Sequence, residues 1–454
     1  MLPRLAAILP LFAVSLMAQD LPKGAIIDTV ACRYALAQSY ALYLPSHYAG
    51  NRTWPILYCF DPAARGRIPV ERFAEAAEKY GWIVAGSNHS RNGPMEASFA
   101  AVEAMWKDTQ ARFRFDPKRI YATGFSGGAR VAFTIALSSG QLAGVIAVGG
   151  GFPGGKAPKS VPFAVFGLAG VDDFNYTELR RLDRDLAALG VPHRFATFDG
   201  GHAWMPAASA VEAVEWMELL AMQSGRRSKD EALIDALLEK RLAKARAAGE
   251  TAEACLAYTA LAADFSGLRP TEQFDAAAAR LTGTKAVKQY EPGERDQEVR
   301  QQRLTSELLD LSAGLRAGDP EMKSMLAIRR TVASLREAGD AKQDSPQRRV
   351  ARRVLGGFFV GSIEEARHHR EQKDYQRAGQ LLELAALANP DAPMVLYEQA
   401  CTDALGGKRK AAVEALAELL EKGAVNPARL EAEACFAPLL EDPAIEKLKA
   451  SPQP

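Results

Sequence analysis

Short apolar runs alternate with stretches of helical periodicity between about residue 25 and residue 222. Several runs are apolar at every position, which is typical of strands buried on both faces of a mainly parallel sheet. Strands are predicted at residues 39–45, 55–60, 82–87, 120–124, 145–149, 163–167 and 194–198, and helices at residues 70–80, 96–113, 128–138, 176–189 and 206–222. Strand, helix and strand in repetition predict right-handed crossovers and a three-layer α/β sandwich, which binds ligands at the carboxyl ends of its strands.

The pattern changes after the polar segment 224–228, whose sequence is SGRRS. Residues 229–450 have helical periodicity almost throughout, are rich in Ala, Leu, Glu, Lys and Arg, and contain no convincing strand. The chain of 454 residues is long enough for about two to four domains. We therefore predict an α/β domain at 19–223, a linker at 224–228 and an all-α domain at 229–454.

One part of the helical half repeats itself at a spacing of 34 residues. Small and apolar residues recur in two helical segments, where Ala378, Leu382 and Ala385 are matched by Ala412, Leu416 and Leu419. This spacing resembles the second helix of tetratricopeptide repeats, in which such residues let paired helices approach closely. The repeat predicts tetratricopeptide-like helix pairs around residues 359–425.

The N-terminus has the pattern of a signal peptide. Arg4 precedes a twelve-residue apolar run from Leu5 to Leu16, and the small residue Ala18 follows. Such a run is too short to span a bilayer, which takes about 20 residues. We therefore expect residues 1–18 to be a signal peptide and the mature protein to be exported, to a periplasm or out of the cell. No later segment of the sequence is apolar enough for a stable membrane span.

Charge and cysteine content narrow the classes of function. The chain has 56 Lys and Arg against 55 Asp and Glu, which argues against nucleic-acid binding, since that usually needs a large positive field. None of the five cysteines forms a CxxC pair, so no zinc or other metal site is predicted, and nothing in the sequence points to an organic cofactor. In an oxidising compartment Cys32–Cys59 or Cys401–Cys435 could form a disulfide, but packing as small buried hydrophobic residues is favoured over either.

The sequence GFSGG at residues 124–128 places Ser126 in a G-x-S-x-G motif. An apolar run ends at Gly124 and a helical run begins at Gly128, so the serine is predicted on a tight strand-to-helix turn with its hydroxyl exposed. Glycines are needed on both sides, because a Cβ atom there would strike the neighbouring strand or helix. We predict that Ser126 is a nucleophile; the alternative is a glycine-rich turn that only joins strand to helix.

A serine nucleophile needs a histidine base and a carboxylate that orients the base. Of the six histidines, His202 follows the last predicted strand on an Asp-Gly-Gly turn, which can carry an imidazole to the upper edge of the sheet. The acid is expected after the preceding strand, where Asp172 and Asp173 are adjacent. Because adjacent side chains generally point in different directions, we expect one of them to reach His202, and we favour Asp173 with Asp172 as the alternative acid. The other carboxylate could cap the helix that begins near Tyr176.

The segments SYALYLP at 39–45, DPKRIYATGFSGG at 116–128 and FDGGHAW at 198–204 together resemble the polyhydroxybutyrate-depolymerase and feruloyl-esterase branch of the α/β-hydrolases. The resemblance covers roughly residues 30–222 and implies an α/β-hydrolase fold and carboxylic-ester hydrolysis through an acyl-enzyme. It implies that Ser126 attacks, that His202 transfers the proton and that Asp173 holds the imidazole. It also implies that the backbone N–H of Gly127 is one oxyanion donor.

The stretch CFDPAAR at 59–65 departs from this branch, whose members usually have His-Gly after the strand that supplies the second oxyanion donor. Pro62 has no N–H, so that donor must come from Asp61 or Ala63. A carboxylate near a developing oxyanion opposes catalysis unless Arg65 neutralises it or it points away. Losing one donor typically lowers kcat by about 10²–10³, so the departure predicts weak activity or an unusual substrate.

Two further features bear on the substrate. The loop NHSRNG at 88–93 could contact substrate, although a purely polar loop is favoured, and Trp204 could either form an apolar wall for an acyl or aromatic group or pack into the core. The spacing of the three predicted catalytic residues leaves little room for an inserted lid. We therefore predict an open site, unless the helical half folds over it.

The leading hypothesis is an exported serine esterase that acts on a small-molecule or polymeric ester and carries a helical domain able to bind a protein or peptide partner. One alternative is a hydrolase-fold scaffold, inactive or weakly active, that binds protein or glycan partners through the helical domain. Another is acyl transfer or peptide-bond cleavage by the same three residues.

Overall fold

The computed structural model describes residues 21–316, 323–425, 430, 433–443 and 445–446. The predicted signal peptide at 1–18 lies outside the described residues, so export stays a prediction. Within the described part of the chain, no helix is long and apolar enough to cross a bilayer.

One sheet of eight strands organises the first half of the chain. The strands are β1 (Ile26–Cys32), β2 (Ala35–Tyr43), β3 (Trp54–Phe60), β4 (Ile83–Ser87), β5 (Phe115–Phe125), β6 (Gly144–Val148), β7 (Ala164–Gly170) and β8 (His193–Phe198). Their order in the sheet is β1-β2-β4-β3-β5-β6-β7-β8. Strand β2 is antiparallel to both of its neighbours, β1 and β4, and the six strands β3 to β8 are parallel to one another. This is the α/β-hydrolase fold, so the predicted fold class is confirmed.

Helices cover both faces of this sheet. They are α1 (Arg67–Tyr80), α2 (Met95–Arg112), α3 (Gly127–Ser139), α4 (Tyr176–Ala188) and α5 (Ala207–Gln223). One core lies between the sheet and α2, α3 and α4, and a second lies between the sheet and α1 and α5. Every residue of β3, β4, β6 and β7 is buried, which is why their sequences are continuously apolar.

The strand β1 has no counterpart among the predicted strands. Its sequence IIDTVAC mixes apolar and polar residues, and Asp28 and Thr29 are exposed. It lies at the edge of the sheet and pairs only with β2. An edge strand of this kind lacks the unbroken apolar run by which the central strands are recognised.

The second half of the chain is helical, as predicted. Its helices are α6 (Glu231–Ala247), α7 (Ala252–Phe265), α8 (Glu272–Thr282), α9 (Lys285–Arg316), α10 (Lys323–Gly339), α11 (Pro346–Glu371), α12 (Tyr375–Ala388), α13 (Pro393–Leu405) and α14 (Arg409–Glu421). The repeated residues lie on α12 and α14, and all six are buried. The residues on α12 belong to one core and those on α14 to another, and the tetratricopeptide-like pairing stays a prediction.

Helix α5 packs against both halves of the chain. Leu219 and Met222 belong to a core shared with residues of α6, α7 and the start of α8, among them Phe265. Trp216 Nε1 donates a hydrogen bond to Asp264 Oδ1 at 2.9 Å, from α5 to α7. The predicted linker 224–228 thus lies between two halves that share buried apolar surface.

Two of the five cysteines form a disulfide, and the other three are buried as free thiols. Cys401 and Cys435 form a disulfide, with their Cα atoms 5.5 Å apart. The preference for simple burial is therefore wrong for this pair. Cys32, Cys59 and Cys255 are free and buried, so the alternative Cys32–Cys59 disulfide is absent among the described residues.

Candidate active site

Ser126 lies on the turn between β5 and α3, at the carboxyl end of the sheet. Its φ of 54° and ψ of −117° are strained for a residue with a side chain. A Cβ atom on Gly124 would lie 2.1 Å from the carbonyl oxygen of Gly128, and one on Gly128 would lie 2.0 Å from that of Phe60. The motif therefore needs its two outer glycines for space, since strand, turn and helix are in direct contact.

Asp173 and His202 are hydrogen-bonded to each other. Asp173 Oδ1 lies 2.8 Å from His202 Nδ1 and also accepts the backbone N–H of Asn175 at 2.8 Å. The Asp173 side chain is fully buried, whereas the His202 side chain is 14% exposed. Because an ionised carboxylate only accepts hydrogen bonds, the proton of a neutral His202 is on Nδ1, which leaves Nε2 as the basic nitrogen.

The chain brings this pair beside the turn that carries Ser126. The His202 ring packs 4.4 Å from the ring of Phe125, the residue before the serine. A Cβ atom on Gly149, which follows β6, would lie 2.8 Å from Asp173 Oδ2 and 3.2 Å from His202 Cε1. Among the described residues, the ring of His202 is hydrogen-bonded to Asp173, and no hydrogen bond joins it to the Ser126 hydroxyl. Such links in unliganded enzymes are often long and shorten when substrate binds.

Asp172, the alternative acid, points elsewhere. Its Oδ2 accepts a hydrogen bond at 3.0 Å from Nη1 of Arg352, which lies on α11 in the helical half. Asp172 does not cap α4 either. Asn175 is the N-cap residue of that helix and its side chain makes no capping hydrogen bond, and the backbone N–H of Asn175 donates to Asp173 instead. The structure therefore pairs His202 with Asp173 and not with Asp172.

The carboxylate of Asp61 is buried and fully engaged. It accepts hydrogen bonds from Arg65 Nε and Nη2 at 2.8 and 3.0 Å, from Trp204 Nε1 at 2.8 Å and from the backbone N–H of Ala63 at 2.8 Å. A carboxylate near the oxyanion would oppose catalysis unless its charge were neutralised, and Arg65 neutralises it. The N–H of Ala63 is bonded to this carboxylate, which leaves the backbone N–H groups of Asp61 and Gly127 as the other predicted oxyanion donors.

Trp204 takes the second of its two predicted roles. Its side chain is buried in the core shared by the sheet, α1 and α5, and its ring lies 5.8 Å from that of Phe125. Together with the hydrogen bond to Asp61, this packing fixes the indole beneath the site. The structure therefore does not present Trp204 as an open substrate wall.

The loop 88–93 contributes one residue that the sequence did not single out. The backbone N–H of Asn92 donates to the carbonyl oxygen of Pro62 at 2.8 Å, and Arg91 forms a β-bridge with Ala63. These bonds join the loop to the segment that follows β3. The side chain of Asn92 lies against Gly127, since a Cβ atom there would be 1.8 Å from Asn92 Oδ1. An amide therefore sits next to one predicted oxyanion donor.

The helical half also reaches the site. Phe174, the residue after the acid, has its ring 4.1 Å from that of His202 and lies against two glycines of α11, Gly356 and Gly357. The sequence predicted an open site unless the helical half folds over it, and α11 does border one side. No group of three or more His, Cys, Asp or Glu side chains in the described ranges is arranged to hold a metal ion.

No protein-family model and no curated protein matches the chain. Among solved structures, it is similar to a ferulic acid esterase, with 16% identity and a TM-score of 0.36 over 42% of this chain and 97% of the other. It is also similar to a fluorophosphonate-binding serine hydrolase of Staphylococcus aureus, with 14% identity and a TM-score of 0.35 over 43% and 99% of the two chains. A third is an esterase of Pyrobaculum calidifontis, with 12% identity and a TM-score of 0.37 over 45% and 88%. Each of these three structures matches less than half of this chain.

Proposed function

We propose that this protein is a serine hydrolase that cleaves carboxylic esters through an acyl-enzyme formed on Ser126. The observation that carries the proposal is the 2.8 Å hydrogen bond between Asp173 and His202, held beside a half-buried serine whose backbone is strained on a tight turn. A buried carboxylate on Nδ1 fixes both the tautomer and the orientation that a general base needs.

The reaction follows from these positions. As Ser126 Oγ attacks the carbonyl carbon of the ester, His202 Nε2 takes the hydroxyl proton, and Asp173 stabilises the resulting imidazolium. The backbone N–H of Gly127 donates to the carbonyl oxygen as it becomes an oxyanion. The imidazolium then protonates the leaving alcohol, and water repeats the sequence to release the acid from Ser126.

Covalent labelling tests the nucleophile. A fluorophosphonate should label the wild-type protein at Ser126, and Ser126→Ala should abolish the labelling together with hydrolysis of a p-nitrophenyl ester. Ser138→Ala is a matched control, because Ser138 is an exposed serine near the other end of the same helix. Labelling that persists in Ser126→Ala, or a wild-type protein that stays unlabelled where ordinary serine esterases react, would contradict the proposal.

Asn92 supplies a side-chain donor to the oxyanion in this proposal. Its amide lies against Gly127: Oδ1, which can only accept, lies 1.8 Å from a Cβ atom built on that glycine, and Nδ2, the end that would donate to the oxyanion, lies 3.3 Å from the same point. We expect Asn92→Ala to lower kcat by about 10²-fold with little change in KM, the usual cost of one oxyanion donor.

The charge of the side chain provides the control for this prediction. Asn92→Asp keeps the size of the amide but puts a carboxylate beside the developing negative charge, so it should lower kcat at least as much as Asn92→Ala. Steady-state kinetics on both variants decide. If Asn92→Ala keeps kcat within twofold of wild type, Asn92 has no part in stabilising the oxyanion.

A further inference from the structure

Helix α11 holds the start of the acid loop, which we define as residues 171–176. Arg352 Nη1 donates to Asp172 Oδ2 at 3.0 Å, and Arg353 Nε donates to the carbonyl oxygen of Val171 at 2.7 Å. Arg353 is 1% exposed, and burial lowers the pKa of its guanidinium. Burying a cation costs free energy unless polar groups receive it, and here the backbone of the acid loop does so.

Helix α9 holds the rest of the acid loop. Gln301 Nε2 donates to the carbonyl oxygen of Phe174 at 2.9 Å, and the Tyr176 hydroxyl donates to Glu294 Oε2 at 2.7 Å. Arg180, one turn further along α4, is buried and lies 3.6 Å from the same carboxylate. Two helices from the second half of the chain therefore fix residues on both sides of Asp173.

A third contact runs directly to the base. The Phe174 ring lies 4.1 Å from the His202 ring on one side and against α11 on the other. Cβ atoms on Gly356 and Gly357 would lie 3.7 and 3.3 Å from Phe174 atoms, so a larger side chain at residue 357 would press on Phe174. Any such pressure is passed to His202, because protein interiors are close-packed.

We propose that α9 and α11 are positioning elements of the active site, which hold the acid loop so that Asp173 and Phe174 keep His202 in its working orientation. This inference rests on the proposed function. It makes the helical half a part of the catalytic apparatus: residues more than 120 positions away from Asp173 set its geometry without touching the substrate.

The helix provides a matched pair of glycines for the test. Gly357→Leu places a side chain against Phe174, whereas Gly361→Leu, one turn later on α11, meets open space, since a Cβ there has no heavy atom within 4 Å. Both substitutions replace a helix-interior glycine by a good helix former. We expect Gly357→Leu to lower kcat for a p-nitrophenyl ester about tenfold or more with KM within threefold, and Gly361→Leu to leave both unchanged.

A second pair of variants covers the case in which Gly357→Leu does not fold. Arg352→Gln removes the ion pair with Asp172, while Arg348→Gln removes an arginine one turn earlier that pairs with Asp344 and, in the part of the chain that the structure describes, has no ion pair with the acid loop. Arg352→Gln should lower kcat severalfold without a change in KM, Arg352→Lys should restore most of the loss, and Arg348→Gln should match wild type. Melting temperatures are measured for every variant.

The outcomes separate this inference from the proposed function. Losses of kcat confined to the variants that contact the acid loop, at unchanged melting temperature, support it. The positioning role is wrong if those variants match their controls, or if kcat falls only in variants whose melting temperature also falls. In either case an inactive Ser126→Ala still supports the proposed hydrolase function. An active Ser126→Ala overturns both.

Discussion

Asp173→Asn should lower kcat for ester hydrolysis by roughly 10³–10⁴-fold. Asparagine preserves the shape of the side chain, but its amide can donate to His202 Nδ1. The imidazole would then carry its proton on Nε2, where it could no longer accept the proton of Ser126. Because the Asp173 side chain is fully buried, no water can replace the lost carboxylate without rearrangement of the acid loop.

The neighbouring carboxylate provides the comparison. Asp172→Asn should lower kcat by less than about tenfold, since Asp172 bonds to Arg352 and makes no contact with His202, so it affects only the positioning of the base. Both variants should be compared by steady-state kinetics and by the rate of fluorophosphonate labelling, after circular dichroism shows that they are folded. A larger loss in Asp172→Asn than in Asp173→Asn would reverse the assignment of the acid.

The part of the site that the sequence predicts is the part fixed by local chemistry. A Cβ atom on Gly124 would strike Gly128, only four residues away, so a short motif is enough to find the turn around Ser126. Gly128 is the exception, because a Cβ atom there would strike the more distant Phe60. His202 is found because it follows the last strand of the sheet, and the topology brings that strand end close to the acid loop.

What the sequence could not supply depends on contacts between distant parts of the chain. The direction of Asp172 is set by Arg352, which is 180 residues away, and no pattern of hydrophobic residues indicates that α11 would reach the acid loop. Asn92 is recognisable only once the segment after β3 is seen to pair with the loop 88–93. The disulfide likewise joins α13 to the segment beyond α14, and spacing alone cannot tell which cysteines meet.

The second large effect concerns α5, which packs on the sheet and on the helical half at once. Removing residues 228–454 would expose Leu219 and Met222 and leave the indole N–H of Trp216 without Asp264. Exposing a buried aliphatic side chain costs about 1.5–3 kcal/mol, so the two side chains together cost about 3–6 kcal/mol, a large part of the roughly 5–15 kcal/mol that stabilises a typical domain. We expect the fragment 21–227 to be insoluble or to unfold at much lower urea concentration than the full chain, and to lose esterase activity.

A point substitution in the full-length protein tests the same interface without truncation. Leu219→Ala should lower the free energy of unfolding by about 2–5 kcal/mol, because it leaves a cavity in the core shared with α6–α8. Leu189→Ala, at an exposed leucine just after α4, should change it by less than about 0.5 kcal/mol. Since the two halves share this core, urea unfolding should be a single transition that Leu219→Ala shifts as a whole. Two separate transitions, or a fragment 229–454 that folds alone and binds a partner, would instead favour an independent binding domain attached to the hydrolase fold.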